Sequence, residues 1–539
     1  MDCTQYSFNS LPFTSLFKNY IQQQDDILQF FSCNPLSDHD LDNKINSFEF
    51  KGDRSLTVKL LSEYNQQFDA PPQTLNNIEK LADNNTLAVV TGQQLTLYGG
   101  PLFTIYKILR TITLSSEWEK KYNRKIIPVF WLADEDHDVE EISKIGIPQT
   151  DELEELLFNT SSDKSLMAAD IILNSSFDEF RSQVKNALSE TDFTPDLWKI
   201  LNKCYAEGVR VDRAFGKFIL HLFGKYGLVL AGSRDVNIKR HLKTPLMHSV
   251  KEREQIEKSL RNTTKKLEEN GYHGQVYIQK SNLFYINPAG ERIRIEYEDK
   301  RWKTDDGKKS WDNTQLLEEI EQNTEKFSPN VFLRPLLQDC LLPTLSYVAG
   351  PGEIAYYAQM KNLYTIFGLE MPVISPRFSA TIIESGIDRI MDKLPFSIEE
   401  YNNRIEDLES EYIKSTEQFD LEKLFNEWKE EIETITNKHQ QEISRIDSTL
   451  EGSVGKAESV FFTELDKLKG KSYRSLKEQE KIQLNRIHKI KNSLFPNGNL
   501  QEREISLIYI MNKYGLDIWD QMLVKMQDEK ADTHKILHL

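Results

Sequence analysis

Between Leu87 and Ile142 the chain alternates short apolar runs with one long helical pattern, and few folds accept that alternation. "LAVVTG" reads as a strand, "PLFTIYKILRTITLSSEWEKKY" as a helix, and "KIIPVFWLAD" as a second strand. Two strands joined through a helix run parallel, a parallel sheet is covered on both faces, and its ligand sits beyond the carboxyl ends of its strands. The fold class is therefore α/β, with a Rossmann-like parallel-sheet core. "GLVLAGS" (227–233), "TLSYVAG" (344–350) and "MPVISPR" (371–377) are further strands of that sheet. "GQVYIQKSNLFYINPAGERIRIEYED" alternates with period two around Asn287-Pro288, which predicts an antiparallel hairpin inserted in the core.

After about residue 395 the character changes to Glu- and Lys-rich sequence, with almost no glycine or proline before Pro496. Phe425, Trp428, Ile432, Ile435, His439, Ile443, Ile446 and Leu450 keep a three-four spacing, as do Val454, Ala457, Phe461, Leu465 and Leu468 further on. Sustained heptad-like spacing predicts a coiled coil. A single rod of this length would exceed about 100 Å, and Gly452 and Gly455 lie between the arms, so an antiparallel hairpin turning there is expected. Such a hairpin buries one seam and leaves another for a second chain, predicting a homodimer; a rigid spacer is the plainer alternative. The expected domains are a helical segment over 1–85 packing on the core, and a core over 86–395 with insertions at about 145–330. A coiled coil over 396–495 and a helical segment over 496–539 returning to the core complete them.

Composition narrows the function classes. A length of 539 residues calls for several domains, and 39% hydrophobic residues suffice to build their cores. A net charge of −17 opposes any general affinity for nucleic acid or anionic lipid. The four cysteines lie far apart without a C-x-x-C pair, so no thiolate zinc site is expected. No signal-like or membrane-spanning apolar run occurs, and a soluble, cytoplasmic protein is expected.

Candidate chemistry gathers at the strand ends. In "VVTGQQLTLYGGPLFTIYK" Gly92 stands alone before Gln93 and Gln94, so the loop lacks the glycines of a phosphate cradle. Glutamine amides instead suit hydroxyls, carboxamides or a sugar ring. Gly99 and Gly100 permit close approach, Pro101 suits a first helical position, and an exposed helix start favours an anion; Lys107 follows on the same helix. A structural β-α turn is the plainer reading.

In "PVFWLADEDHDVEEI" a buried-looking strand runs straight into Asp134, Glu135, Asp136, His137 and Asp138. Carboxylates around an imidazole raise its pKa and support acid-base chemistry or, less readily, a divalent cation. Glu135, Asp136, His137 and Lys107 are the catalytic candidates, and no protein-built metal site is expected; Asp138, Glu140 and Glu141 read as a solvated acidic helix start. In residues 332–360 Arg334, Gln338 and Asp339 punctuate an apolar segment and need partners if it is buried. There "YVAGPGEIAYY" repeats the strand, glycine-proline, helix logic, offering Tyr347, Gly350, Glu353 and Tyr356, and "SPRFSAT" adds Arg377 with Ser379 and Thr381.

These stretches, with "FPNGNLQER" at 495–503, resemble the bacillithiol biosynthesis cysteine-adding enzymes, the cysteine ligases, in order and from about residue 87 onward. The resemblance implies a Rossmann-like core similar to class I aminoacyl-tRNA synthetases, and a coiled coil that makes a dimer. It implies amide formation between the carboxylate of L-cysteine and the amine of glucosaminyl-malate. ATP with magnesium is the expected activating substrate, although the H-I-G-H and K-M-S-K-S signatures of those synthetases are absent. On that reading His137 or Asp136 takes the proton of the sugar amine, and Lys107 and Arg377 offset charge on the transferred group. A sugar-nucleotide transferase, or a coiled-coil scaffold with a degenerate site, would share the same strand and heptad patterns.

Overall fold

The computed structural model describes residues 2–136, 142–150, 152–159, 167–416 and 420–539. The chain divides into one unit of residues 1–149, 153–382 and 500–539, and a second of 150–152 and 383–499. The division thus falls at 382/383, ahead of the composition change near 395.

The centre of the first unit is a five-stranded sheet: β1 (Leu87–Gln94), β2 (Ile126–Ala133), β3 (Val229–Gly232), β4 (Thr344–Ala349) and β5 (Val373–Pro376). Every neighbouring pair is parallel, and the spatial order is β3-β2-β1-β4-β5. β3 and β4 are buried along their whole length and β1 and β2 along nearly all of theirs, which explains why they read as continuous apolar runs. Helix α1 (Leu102–Tyr122) connects β1 to β2 and stops at Asn123, whose φ of 48° is the left-handed turn asparagine tolerates. The strand order reverses between β1 and β4, the position at which doubly wound sheets open a ligand crevice.

The hairpin predicted around Asn287 is present, Leu283–Ile286 pairing antiparallel with Arg292–Glu298. It belongs to a separate five-stranded antiparallel sheet completed by Arg301–Thr304, Ser310–Trp311 and Phe327–Pro329. Residues 496–539 are not helical throughout: His534–His538 forms a strand that pairs antiparallel with Asp2–Tyr6, Asp2 opposite His538. Both segments were expected to be helical, and a five-residue strand is too short for its period to register.

In the second unit helices Leu421–Ile446 and Glu451–Gln479 pack side by side. Ion pairs and hydrogen bonds link Glu422 to Lys469 and Tyr473, Lys429 to Asp466, and Gln440 to Glu451, so the helices are antiparallel. The turn lies at Asp447–Leu450, where the Asp447 carboxylate caps the Thr449 amide. Gly452 and Gly455 therefore sit inside the second helix and not at the turn, which is held by the Asp447 cap. Among the described residues no helix is long and apolar enough to cross a membrane.

Candidate functional site

A cleft of about 690 Å³ opens beyond the carboxyl ends of β1 and β4, at the reversal of strand order. In its lining are Gly92, Gln93, Gln94, Lys107, Glu135 and Asp136 from the first half of the sheet. Arg334, Tyr347, Gly350, Glu353, Tyr356 and Arg377 come from the second half. Register brings the loops together: Gln94 lies beside Ala133 in the β1–β2 ladder, so its amide nitrogen reaches and donates to Asp136.

Lys107 is the clamp across the switch point. Its ammonium, buried on α1, donates to Gly92 O at 2.8 Å and Gln93 Oε1 at 3.1 Å, and pairs with Glu353 at 2.6 Å. An ammonium has three donors, and all three are used inside the protein. Lys107 therefore holds β1 to the helix α3 that follows β4 (Pro351–Ala358), instead of presenting free charge to a ligand as expected from sequence. Burial would raise the Glu353 carboxyl, but Lys107, the Gly350 amide at 2.7 Å and the Tyr347 hydroxyl at 2.7 Å hold it below its ordinary range. A Cβ on Gly92 would come within 3.1 Å of Trp131 O and 3.2 Å of the Tyr347 hydroxyl, so a side chain at this strand end would have to push its neighbours back by a few tenths of an ångström.

Glu135 is equally committed. It forms a buried ion pair with Lys239 and accepts from Ser233, and Lys239 also donates to Phe327 O at 2.8 Å. Burial pushes the Glu135 carboxyl up, and the Lys239 ammonium overturns that and holds it below the usual range. It is thus a fixed anion and not a proton acceptor, which corrects the expectation of proton handling at this residue. Behind it Asp134, fully buried, accepts from the Tyr64 hydroxyl at 3.2 Å and the Arg234 amide at 3.1 Å, and burial beside Glu135 and Asp212 pushes its carboxyl up to about 8. His137, with Asp138, Glu140 and Glu141, lies outside the described residues.

Several expected residues stand elsewhere. Gly99, Gly100 and Pro101 do not line the cleft: Leu507 N donates to Gly100 O at 3.1 Å and Leu102 N to Ile505 O at 3.0 Å, so residues 505–507 cover that helix start. Pro101 is the cap residue and the helix begins at Leu102. Gly99 has φ +85°, and a Cβ there would lie 2.4 Å from the Leu507 side chain. Gly99→Ala is therefore expected to cost about 1–3 kcal/mol of stability by strain and overpacking, read as a lower urea midpoint, with ligand affinity of the folded protein unchanged. A ligand defect without a stability defect would return Gly99 to the site.

The helix start that does open into the cleft is that of α3, through Gly350, Pro351 and Gly352, where a Cβ on Gly352 would meet nothing within 4 Å. Gln338 and Asp339 lie behind the cleft wall: Gln338 donates to Asp339 at 3.0 Å, the Tyr364 hydroxyl donates to Asp339 at 2.9 Å, and burial pushes the Asp339 carboxyl up to about 6. Ser379 and Thr381 flank His534, each at 2.9 Å, and Ser379 donates to Glu502, so both support a buried network outside the cleft. Arg377 bridges network and cleft, donating to Glu502 at 2.6 Å.

Residues 1–378 match the family model described as "Bacillithiol biosynthesis BshC, N-terminal Rossmann-like domain", and residues 380–539 match its C-terminal coiled-coil domain. The chain belongs to the bacillithiol biosynthesis BshC family. Curated relatives named "Putative cysteine ligase BshC" include one from Salinibacter ruber, 32% identical over 90% of this chain and 89% of its own length. Those from Geobacillus kaustophilus and Chlorobaculum tepidum are each 31% identical over 90% of this chain, covering 91% and 89% of their own lengths. Within this BshC chain, sequence reasoning missed Lys239, Ser233, Arg292 and Arg503. Lys239 and Arg292 carry no local signal, the one in a charged helix and the other on an alternating strand of the inserted sheet, while Ser233 and Arg503 close two quoted stretches without standing out in them. Glu502 stood in a quoted motif, "FPNGNLQER", but only packing against Arg377 gives it a role.

Proposed function

We propose that the chain is a cysteine ligase of bacillithiol biosynthesis, joining the carboxylate of L-cysteine to the amine of glucosaminyl-malate with ATP as the activating substrate. The observation that carries the reading is the charge of the switch-point cleft. Among the described lining residues, Lys107, Arg292, Arg294, Arg334, Arg377 and Arg503 face only Glu135, Asp136 and Glu353. A chain of net charge −17 thus concentrates cations where a nucleotide phosphate and carboxylated substrates would bind. The helix start at Gly352 lines the same space, and the positive end of a helix favours a phosphate. The volume lies within the roughly 300–1,000 Å³ usual for small-molecule sites.

A carboxylate is a poor electrophile and an ammonium no nucleophile; ATP supplies the leaving group that cures the first. Magnesium accompanies the phosphates and takes few protein ligands. The protein's part is orientation and proton removal. Gln93 lines the cleft with its amide oxygen held by Lys107, which leaves its amide nitrogen as the donor for a sugar hydroxyl or carboxylate. Glu135 and Glu353 are neutralised by lysines, which leaves Asp136, oriented by Gln94, or His137, next to it in sequence, to take the proton of the sugar amine. The exposed apolar residues of the hairpin helices, including Ile435, Ile446 and Phe461, form the seam for a second copy, giving a homodimer.

The test is direct. Purified protein given L-cysteine, glucosaminyl-malate and ATP–magnesium should yield the thiol amide by mass, and omission of any one should abolish it. Asp136→Asn should lower kcat at least about tenfold with the fold intact. Folded protein that makes no amide from all three would sink the ligase reading, and amide formed without ATP would remove the nucleotide from it.

A further inference from the structure

Arg334 stands in the cleft wall on helix α2 (Leu333–Leu341). Its Nη1 donates to Gln338 Oε1 at 3.2 Å, and its Nη2 to the hydroxyls of Tyr356 and Tyr347 at 3.2 and 3.5 Å. All three partners are neutral. Lys107 and Arg377, in the same wall, each hold a glutamate, whereas no carboxylate among the described residues lies in ion-pair range of Arg334. The two acids nearest in effect are already engaged: Glu353 by Lys107, and Asp339 by Tyr364 and by Gln338, which stands between it and the guanidinium.

A half-buried guanidinium without a counter-charge is costly, and the described residues offer it three neutral acceptors and no anion. Its five donors form a rigid fork, and among the described residues Nε has no hydrogen-bond partner. Tyr347 is itself tied to Glu353, so the fork is held in one orientation before any ligand arrives. We infer that Arg334 is the docking point for an oxyanion of the ligand, a carboxylate or a phosphate, whose charge completes this otherwise unmatched site. The inference rests on the cleft being the ligase site and adds the chemical group that Arg334 selects.

The test compares the full chain with Arg334→Met and Arg334→Lys by calorimetric titration with glucosaminyl-malate, L-cysteine and ATP, and by melting temperature without ligand. One of the three ligands should bind about 30-fold or more weaker to Arg334→Met, the usual loss for a severed charged pair, with the other two little changed. Arg334→Lys should recover only part, since it restores charge without the fork. The affected ligand identifies the source: glycoside for malate, cysteine for the amino acid, ATP for phosphate. Unliganded Arg334→Met should melt no lower than wild type, because an unmatched charge has been removed. Unchanged affinity for all three, or equal loss for all with a lower melting temperature, overturns the inference. Should the wild-type protein bind none of the three, the ligase reading fails, and free L-malate and inorganic phosphate decide Arg334 alone. Stabilisation by either that disappears in Arg334→Met supports it, and its absence or equality in both proteins overturns it.

Discussion

Glu135→Gln is expected to lose about 3–5 kcal/mol of stability, because it leaves the Lys239 ammonium buried without its anion. The side chain of Lys239 is 1% exposed and that of Glu135 7%, so neither can turn to water for compensation. Lys239 also donates to Phe327 O in the inserted sheet, and the pair joins that sheet to the loop after β2. The loop carries Asp136, so turnover should fall together with stability. The double variant Glu135→Gln, Lys239→Met removes both charges and should regain most of the stability while activity stays low. Urea unfolding of the single and double variants checks this. A single variant within 1 kcal/mol of wild type, or a double variant worse than either single, would show that the pair does not fasten the loop.

Asp134→Asn should stabilise the protein, by an amount that grows with pH. The folded carboxyl is pushed from 3.8 up to about 8 by burial and by the charges of Glu135 and Asp212, against the pull of Lys239 and the Arg234 amide. The folded state therefore binds the proton more tightly than the unfolded chain. The stability this proton contributes is fully present below about pH 4 and is lost as pH rises to about 8. A carboxyl moved that far is worth at most about 6 kcal/mol. Asparagine keeps the shape of the protonated acid and can still serve Tyr64 and the Arg234 amide, so the variant escapes the loss. The difference in unfolding free energy between variant and wild type should be near its minimum at pH 4, rise through pH 6 and level above pH 8. A difference independent of pH would mean that Asp134 is not the buried titrating group.

The sequence by itself determined the parallel sheet, because strands buried on both faces must be apolar throughout, and "LAVV", "VFWL" and "LSYVA" are. It determined the hairpin coiled coil, because a three-four repeat has one helical interpretation, and it placed the polar loops at strand ends. Twelve of the candidates, Gln93 and Arg334 among them, meet in one cleft for that reason. What only the tertiary structure decided is how each charge is used. Lys107 and Glu135 look like free catalytic groups in sequence, yet their partners Glu353 and Lys239 are 246 and 104 residues away, and no local pattern encodes such a pairing. The two glycine-proline helix starts are near twins in sequence. Residues 505–507 fold over the one at Pro101 and leave the one at Pro351 open to the cleft. Periodicity reports which face of an element is buried; which distant segment covers it, and whether a buried charge finds a partner there, is settled only when the chain closes on itself.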